Sequence, residues 1–109
     1  MEPYLAREAG SGTREVAAAA LAAKGVELSP ALEVSSADGL KHAVLGGGFT
    51  LLSARAVEPE VTGGALRAIP VSGIELRRTL RAVRRTRPAL QGPARALWSW
   101  LERTIAPFA

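Results

Sequence analysis

Residues 3–25, PYLAREAGSGTREVAAAALAAKG, constrain the fold more than any other part of this chain. The short apolar run PYLA (Pro3 to Ala6) reads as a strand. A turn of small polar residues follows it, and a helix over roughly Thr13 to Lys24 follows the turn. Gly25 stands just past the helix end, where a left-handed glycine commonly closes one. With Gly12 as N-cap, Glu15 falls at the third helical position, where a carboxylate suits the helix dipole. A strand that passes through a tight turn into a helix needs a parallel neighbour to complete a crossover.

The following residues supply that neighbour. ALEVS (Ala31 to Ser35) reads as a second strand, and SADGLKHAVLGG reads as a second helix with Ser36 as its N-cap. Leu40, Val44 and Ala37 form its apolar face, and Gly46, Gly47 and Gly48 stop it. FTLLS (Phe49 to Ser53) suits a buried parallel strand. ARAVEPEV reads as a short helix and LRAIPV (Leu66 to Val71) as another strand. This alternation argues for an α/β unit with a mostly parallel sheet. LRRTLRAVRR is ambiguous: Leu76, Leu80 and Val83 keep helical spacing, while Leu80 and Ala82 make a weak strand alternation, so pattern alone leans to helix. RPALQGP reads as a loop. A last helix starts near Pro93 and places Ala94, Leu97, Trp98, Leu101 and Ile105 on one face, with Trp100 off it.

A chain of 109 residues suffices for one domain with one core. Hydrophobic residues at 48% and charged residues at 22% fit a globular protein. The absence of cysteine excludes disulfides and thiolate metal sites. No apolar run approaches the roughly 20 residues of a membrane-spanning helix, and Met1-Glu2-Pro3 does not open a secretory signal. A cytoplasmic location without a membrane partner is the expectation.

Charge is uneven. Up to Ala65 there are five bases against eight acids, and from Leu66 onward nine arginines against Glu75 and Glu102. A basic run raises a nucleic-acid reading. This one lacks interleaved aromatics, glycine hinges and a helix-turn-helix pattern, so a solvated face is expected instead.

Two turns carry the chemistry. The Gly10–Thr13 turn opens a helix, where free N–H groups and the dipole favour an anion, and Ser11 and Thr13 add hydroxyl donors. It lacks the lysine of a Walker loop and the third glycine of a dinucleotide fingerprint. A plain capped turn is the alternative. SSAD (Ser35 to Asp38) makes a second hydroxyl-rich turn, and in an open α/β sheet both would line the carboxyl edge; capping by Ser36 is again the alternative. His42, the single histidine, has no partners for a metal site or a catalytic set, and reads as an exposed helix residue. Neither an enzyme nor a cofactor is expected.

Taken in order, LAREAGSGTRE, LEVSSADGLKHAVLGGGFTLLSARAV, GALRAIPVSG, LRRTLRAVRRTR and ARALWSWLE resemble the effector-binding domain of LysR-type transcriptional regulators. The pieces follow that family's order at close to its spacings and cover nearly the whole chain. R-E-x-G-S-G-T-R resembles above all the branch that senses small metabolites of central and autotrophic metabolism. The resemblance implies a fold like type II periplasmic binding proteins, in which two α/β subdomains joined by two crossovers hold an effector in their cleft. Residues 1–88 would be the second subdomain: a mostly parallel five-stranded sheet with RRTLRAVRR as its one antiparallel strand and helices on both faces. Residues 89–109 would be a loop and a C-terminal helix that packs on the first subdomain.

The resemblance places Gly10, Ser11, Gly12 and Thr13 at one effector-binding turn and Ser35, Ser36 and Ala37 at the other, with Arg14 buttressing the first. Gly46-Gly47-Gly48 stands where the family usually has G-L-G, which removes a side chain and loosens the packing under the sheet. The implied partners are a small anionic effector and a second copy in a homo-oligomer. DNA would be met only through a winged helix-turn-helix that these residues do not contain. Neither that element nor the first subdomain lies in the 109 residues, so Met1 is expected to begin a shortened chain. The expected function is that of an effector-sensing fragment of a bacterial regulator. The alternative is a stand-alone small α/β binding or oligomerisation module that associates through Leu97, Trp98 and Leu101.

Overall fold

The computed structural model describes residues 1–78 and 80–105. The chain divides into two units, Met1–Arg78 and the remainder. The first unit is built around strand β1 (Leu5–Arg7), which pairs in parallel with β2 (Leu32–Val34). The register sets Leu5 opposite Leu32, Ala6 opposite Glu33 and Arg7 opposite Val34. On the other side of β1, Phe49 bridges in parallel to Tyr4. There the Leu5 N–H donates to the Phe49 carbonyl at 2.9 Å and the Phe49 N–H to the Pro3 carbonyl at 3.0 Å. The Tyr4 and Phe49 rings lie 5.4 Å apart, tilted by 31°. The lateral order is therefore β2, β1, Phe49.

Helices α1 (Gly12–Ala22) and α2 (Ala37–Leu45) cover opposite faces. The Glu33 side chain meets Arg14 of α1, and Ala6, paired with Glu33, shares that face. Val34 faces the other way, and a Cβ added at Gly39 of α2 would lie 2.8 Å from its Cγ1. The core is small. Leu5 and Ala6 come from β1, Ala17 and Leu21 from α1, and Leu40 from α2. Ala17 and Leu21 are four apart on one stripe of α1, and the small alanine lets the helix approach the sheet.

The helix ends show which residue types do the capping. Ser11, not Gly12, is the N-cap of α1: its Oγ accepts from the Arg14 N–H at 3.5 Å, a bond glycine has no atom to make. This moves Glu15 one position further in, still within the first turn. Gly25, at φ 73°, closes α1, with Val26 N–H donating to Leu21 O and Gly25 N–H to Ala22 O, both at 2.9 Å. Ser36 caps α2 as expected, its Oγ accepting from the Gly39 N–H at 2.9 Å. Leu40 is fully buried, with Ala37 and Val44 half-buried beside it.

ARAVEPEV forms a 3₁₀ turn (Ala54–Val57) that continues into α3 (Glu58–Thr62). Lys41 of α2 pins this segment. Its Nζ donates to the Ala56 carbonyl at 3.1 Å and pairs with Glu60 at 2.7 Å and Asp38 at 3.4 Å. The hydrogen bond from Lys41 holds the Glu60 carboxyl below its ordinary range, and the same bond holds the Lys41 ammonium above its own. A depressed carboxylate contributes stability above its unfolded value and loses it as pH falls through the folded one. A raised ammonium contributes below its unfolded value and loses it as pH rises through the folded one. Relative to Lys41→Met, the native chain should therefore show a higher melting temperature between about pH 4.3 and about pH 10.4, with the gap closing outside that window. Equal pH dependence of the two melting curves would refute the pairing.

The pairing among the described residues stops at two strands and the Phe49 bridge, where the sequence suggested five strands. Neither residues 66–71 nor the described part of 76–87 forms a helix or a strand. Ile69, Leu80 and Val83 are 75%, 84% and 86% exposed. Parallel strands are stable when both faces are covered, and these side chains bury too little apolar surface to hold a ladder.

In the second unit, α4 (Gly92–Thr104) carries the expected Pro93 in its first turn. Trp98 is half-buried, its Nε1 donates to Glu102 at 2.6 Å, and the Arg84 guanidinium lies 5.1 Å from the ring centroid. Leu97 and Trp100 are exposed. No helix among the described residues is long and apolar enough to cross a membrane.

Candidate functional site

Because β1 and β2 are parallel and in register, the chain leaves both strands at the same edge of the sheet. Residues 8–11 lead from β1 into α1, and Ser35 and Ser36 lead from β2 into α2. Both helices therefore present their N-termini at the carboxyl edge, where open α/β sheets hold ligands. The order β2, β1, Phe49 puts the reversal between β1 and Phe49, the switch-point arrangement of such sheets, on the side of β1 away from β2.

The first turn is the more developed. Gly10 and Gly12 are exposed, Thr13 is half-buried and Ser11 is 8% exposed. Ser11 Oγ is used as an acceptor, so its hydrogen remains available to a ligand. The N–H groups of Gly12 and Thr13 begin the helix and have no acceptor within it. Arg7 grips Glu8 through two bonds of 3.1 and 2.9 Å, which holds the Glu8 carboxyl below its usual range, while Glu15 stands in the first turn of α1. Arg14 does not face the opening. Its Nη1 donates to the Arg7 carbonyl and to Glu33 Oε1, each at 2.9 Å.

At the second turn Ser35 and Ser36 are exposed and Ala37 is half-buried. Asp38 sits in the first turn of α2 and weakens the attraction of that terminus for an anion. His42 is exposed, with Nδ1 2.8 Å from the Asp38 carbonyl oxygen. Among the described residues no group of three or more histidines and carboxylates is placed to hold a metal ion.

One residue escaped sequence reasoning. Arg78 places Nη1 3.4 Å from Thr13 Oγ1, and a Cβ at Gly12 would lie 3.5 Å from the same nitrogen. A guanidinium thus stands over the N-terminus of α1. The contact spans 65 positions of sequence, and Arg78 looks like every other member of the arginine run.

A family model described as the LysR substrate binding domain matches residues 1–106. The chain belongs to the LysR substrate-binding domain family. The HTH-type transcriptional regulator CbbR of Xanthobacter flavus is 37% identical over 109 residues, 98% of this chain and 33% of that protein. The RuBisCO operon transcriptional regulator of Acidithiobacillus ferrooxidans is 39% identical over 82 residues, 74% of this chain and 26% of that one. The phosphonates import ATP-binding protein PhnC of Anaeromyxobacter dehalogenans is 38% identical over 109 residues, 96% of this chain but 22% of that protein. The chain thus spans about a quarter to a third of these relatives. The chain carries no G-x-x-x-x-G-K-[ST] phosphate loop. Membership sets it among regulatory substrate-binding domains of periplasmic-binding-protein-like α/β fold.

Proposed function

We propose that this LysR-type chain is the effector-sensing second subdomain of a bacterial transcriptional regulator and that it takes a small anionic metabolite. The observation that carries the reading is the emergence of two serine-capped helix N-termini at one edge of a parallel sheet, with Arg78 over the first. Gly10, Ser11, Gly12 and Thr13 form one wall, and Ser35, Ser36 and Ala37 line the edge beside it. In the complete regulator residues 66–71 and the arginine-rich segment extend the sheet to five strands, the latter antiparallel. Residues 89–109 then pack on a first subdomain, and effector binding closes the cleft between the two. Closure shifts the population of an oligomer whose winged helix-turn-helix domains meet DNA in the cytoplasm. The kinship with a RuBisCO operon regulator makes gene control the natural setting.

A single wall binds weakly. Inorganic phosphate, as the simplest oxyanion, should bind the 109-residue chain with a dissociation constant near 1 mM, about −4 kcal/mol. Titration followed by amide NMR should move Ser11, Gly12 and Thr13 first and Ser36 and Ala37 less. Arg78→Gln should weaken binding by about tenfold, since a charge-assisted bond contributes roughly 1.5 kcal/mol. Unmoved amides at both turns would overturn the reading.

Exposed Leu97 and Trp100 on α4 favour a second reading, association of copies through this helix. Light scattering that finds a monomer at high concentration would rule it out.

A further inference from the structure

Arg14 and Glu33 belong to different helices' approaches to the candidate site. Arg14 directly follows Thr13, and Glu33 lies two residues before Ser35. One nitrogen, Arg14 Nη1, reaches both the Arg7 carbonyl at the end of β1 and Glu33 Oε1 on β2, each at 2.9 Å. Among the described residues this is the one side-chain hydrogen bond that joins α1 to β2. The two helices lie on opposite faces of the sheet, and beyond the β1–β2 ladder itself this bond ties the first turn of α1 to β2. We infer that Arg14 is a positioning residue: with Glu33 it forms a strut that sets the spacing of the turns Gly10–Thr13 and Ser35–Ala37, and thereby the affinity of the edge for an oxyanion. The inference rests on the effector-site reading above.

A half-exposed ion pair contributes little to stability. Its effect here is on preorganisation, because a ligand that spans two turns binds more weakly when their separation fluctuates. This separates the strut from a plain electrostatic role. Removing the Glu33 charge makes the site more positive and by Coulomb's law alone tightens anion binding. Loss of a strut weakens it.

The experiment titrates inorganic phosphate into the 109-residue chain and its Glu33→Gln, Arg14→Lys and doubly substituted variants, with amide NMR and melting curves recorded for each. Each single variant should weaken phosphate binding roughly threefold to tenfold, and the double variant no further, because both remove one shared interaction. Melting temperatures should stay within about 3 °C of the native chain. Without phosphate, Arg14→Lys on α1 should speed hydrogen exchange at Gly39 and Leu40 of α2, whose N–H groups donate to Ser36. Tighter or unchanged phosphate binding in Glu33→Gln overturns the strut, as do additive losses in the double variant. If the native chain ignores phosphate, the effector-site reading fails, and the phosphate-free exchange at Gly39 and Leu40 decides the strut: unchanged exchange refutes it.

Discussion

Replacing Leu40 with alanine should lower the unfolding free energy by about 2–5 kcal/mol, the range for deleting a buried leucine side chain. Leu40 is 0% exposed and is the one buried residue of α2, which packs on both β1 and β2. Its effect is large because the buried core is small: Leu5, Ala6, Ala17 and Leu21 are its remaining apolar members, and two of these are alanines. Small domains have total stabilities of about 5–15 kcal/mol, so this loss alone can leave much of the population unfolded. Leu45→Ala, on the same helix but exposed, should change stability by no more than about 0.5 kcal/mol. Urea denaturation followed by far-ultraviolet circular dichroism measures both. Equal, small effects would show that α2 is not held by Leu40.

Gly48→Ala should lower the melting temperature by more than about 10 °C, equivalent to roughly 2–3 kcal/mol. Gly48 adopts φ 92°, which side-chain-bearing residues rarely take, and a Cβ there would lie 2.6 Å from the Pro3 carbonyl oxygen. That oxygen is the acceptor for Phe49 N–H. Backbone cannot swing aside as a flexible side chain can, so relief must break the bridge that joins Phe49 to Tyr4. Gly12→Ala serves as the comparison. Gly12 is the first residue of α1, and its nearest neighbour to an added Cβ, Arg78 Nη1, lies at an ordinary 3.5 Å. Its melting temperature should barely change. Similar melting temperatures for the two variants would refute the close approach at Pro3.

Features governed by neighbours three to five residues away were legible in the sequence. Ser36 caps α2 through a bond to Gly39, Gly25 closes α1, and Leu40 with Ala37 and Val44 forms the face of α2 that meets the sheet. The one slip among these, Gly12 for Ser11 as the cap of α1, concerns which of two adjacent small residues owns an acceptor oxygen. Both candidate turns were visible too, because small hydroxyl residues between a strand and a helix have local causes. Strand formation was less legible. FTLLS and LRAIPV have strand-like composition, and the family resemblance made a strand of the arginine-rich segment against its helical spacing, yet Phe49 alone among their described residues is paired. An apolar run states only that burial would be favourable. Whether a neighbour is present to provide it is a property of the assembled domain.

The sequence by itself therefore determined α1, α2 and α4, the cap of α2, the two hydroxyl-rich turns and, through the order of its motifs, the LysR-type family. The tertiary structure decided what those pieces meet. The register that sets Ala6 opposite Glu33 brings that carboxylate to Arg14, and a one-residue slip would send it to the face of α2. Arg78 reaches Thr13 across 65 positions. Capping and helix periodicity act within a turn or two of chain and are written in adjacent residues. Register and long-range contacts exist only once the chain has folded back on itself, and no short pattern encodes them.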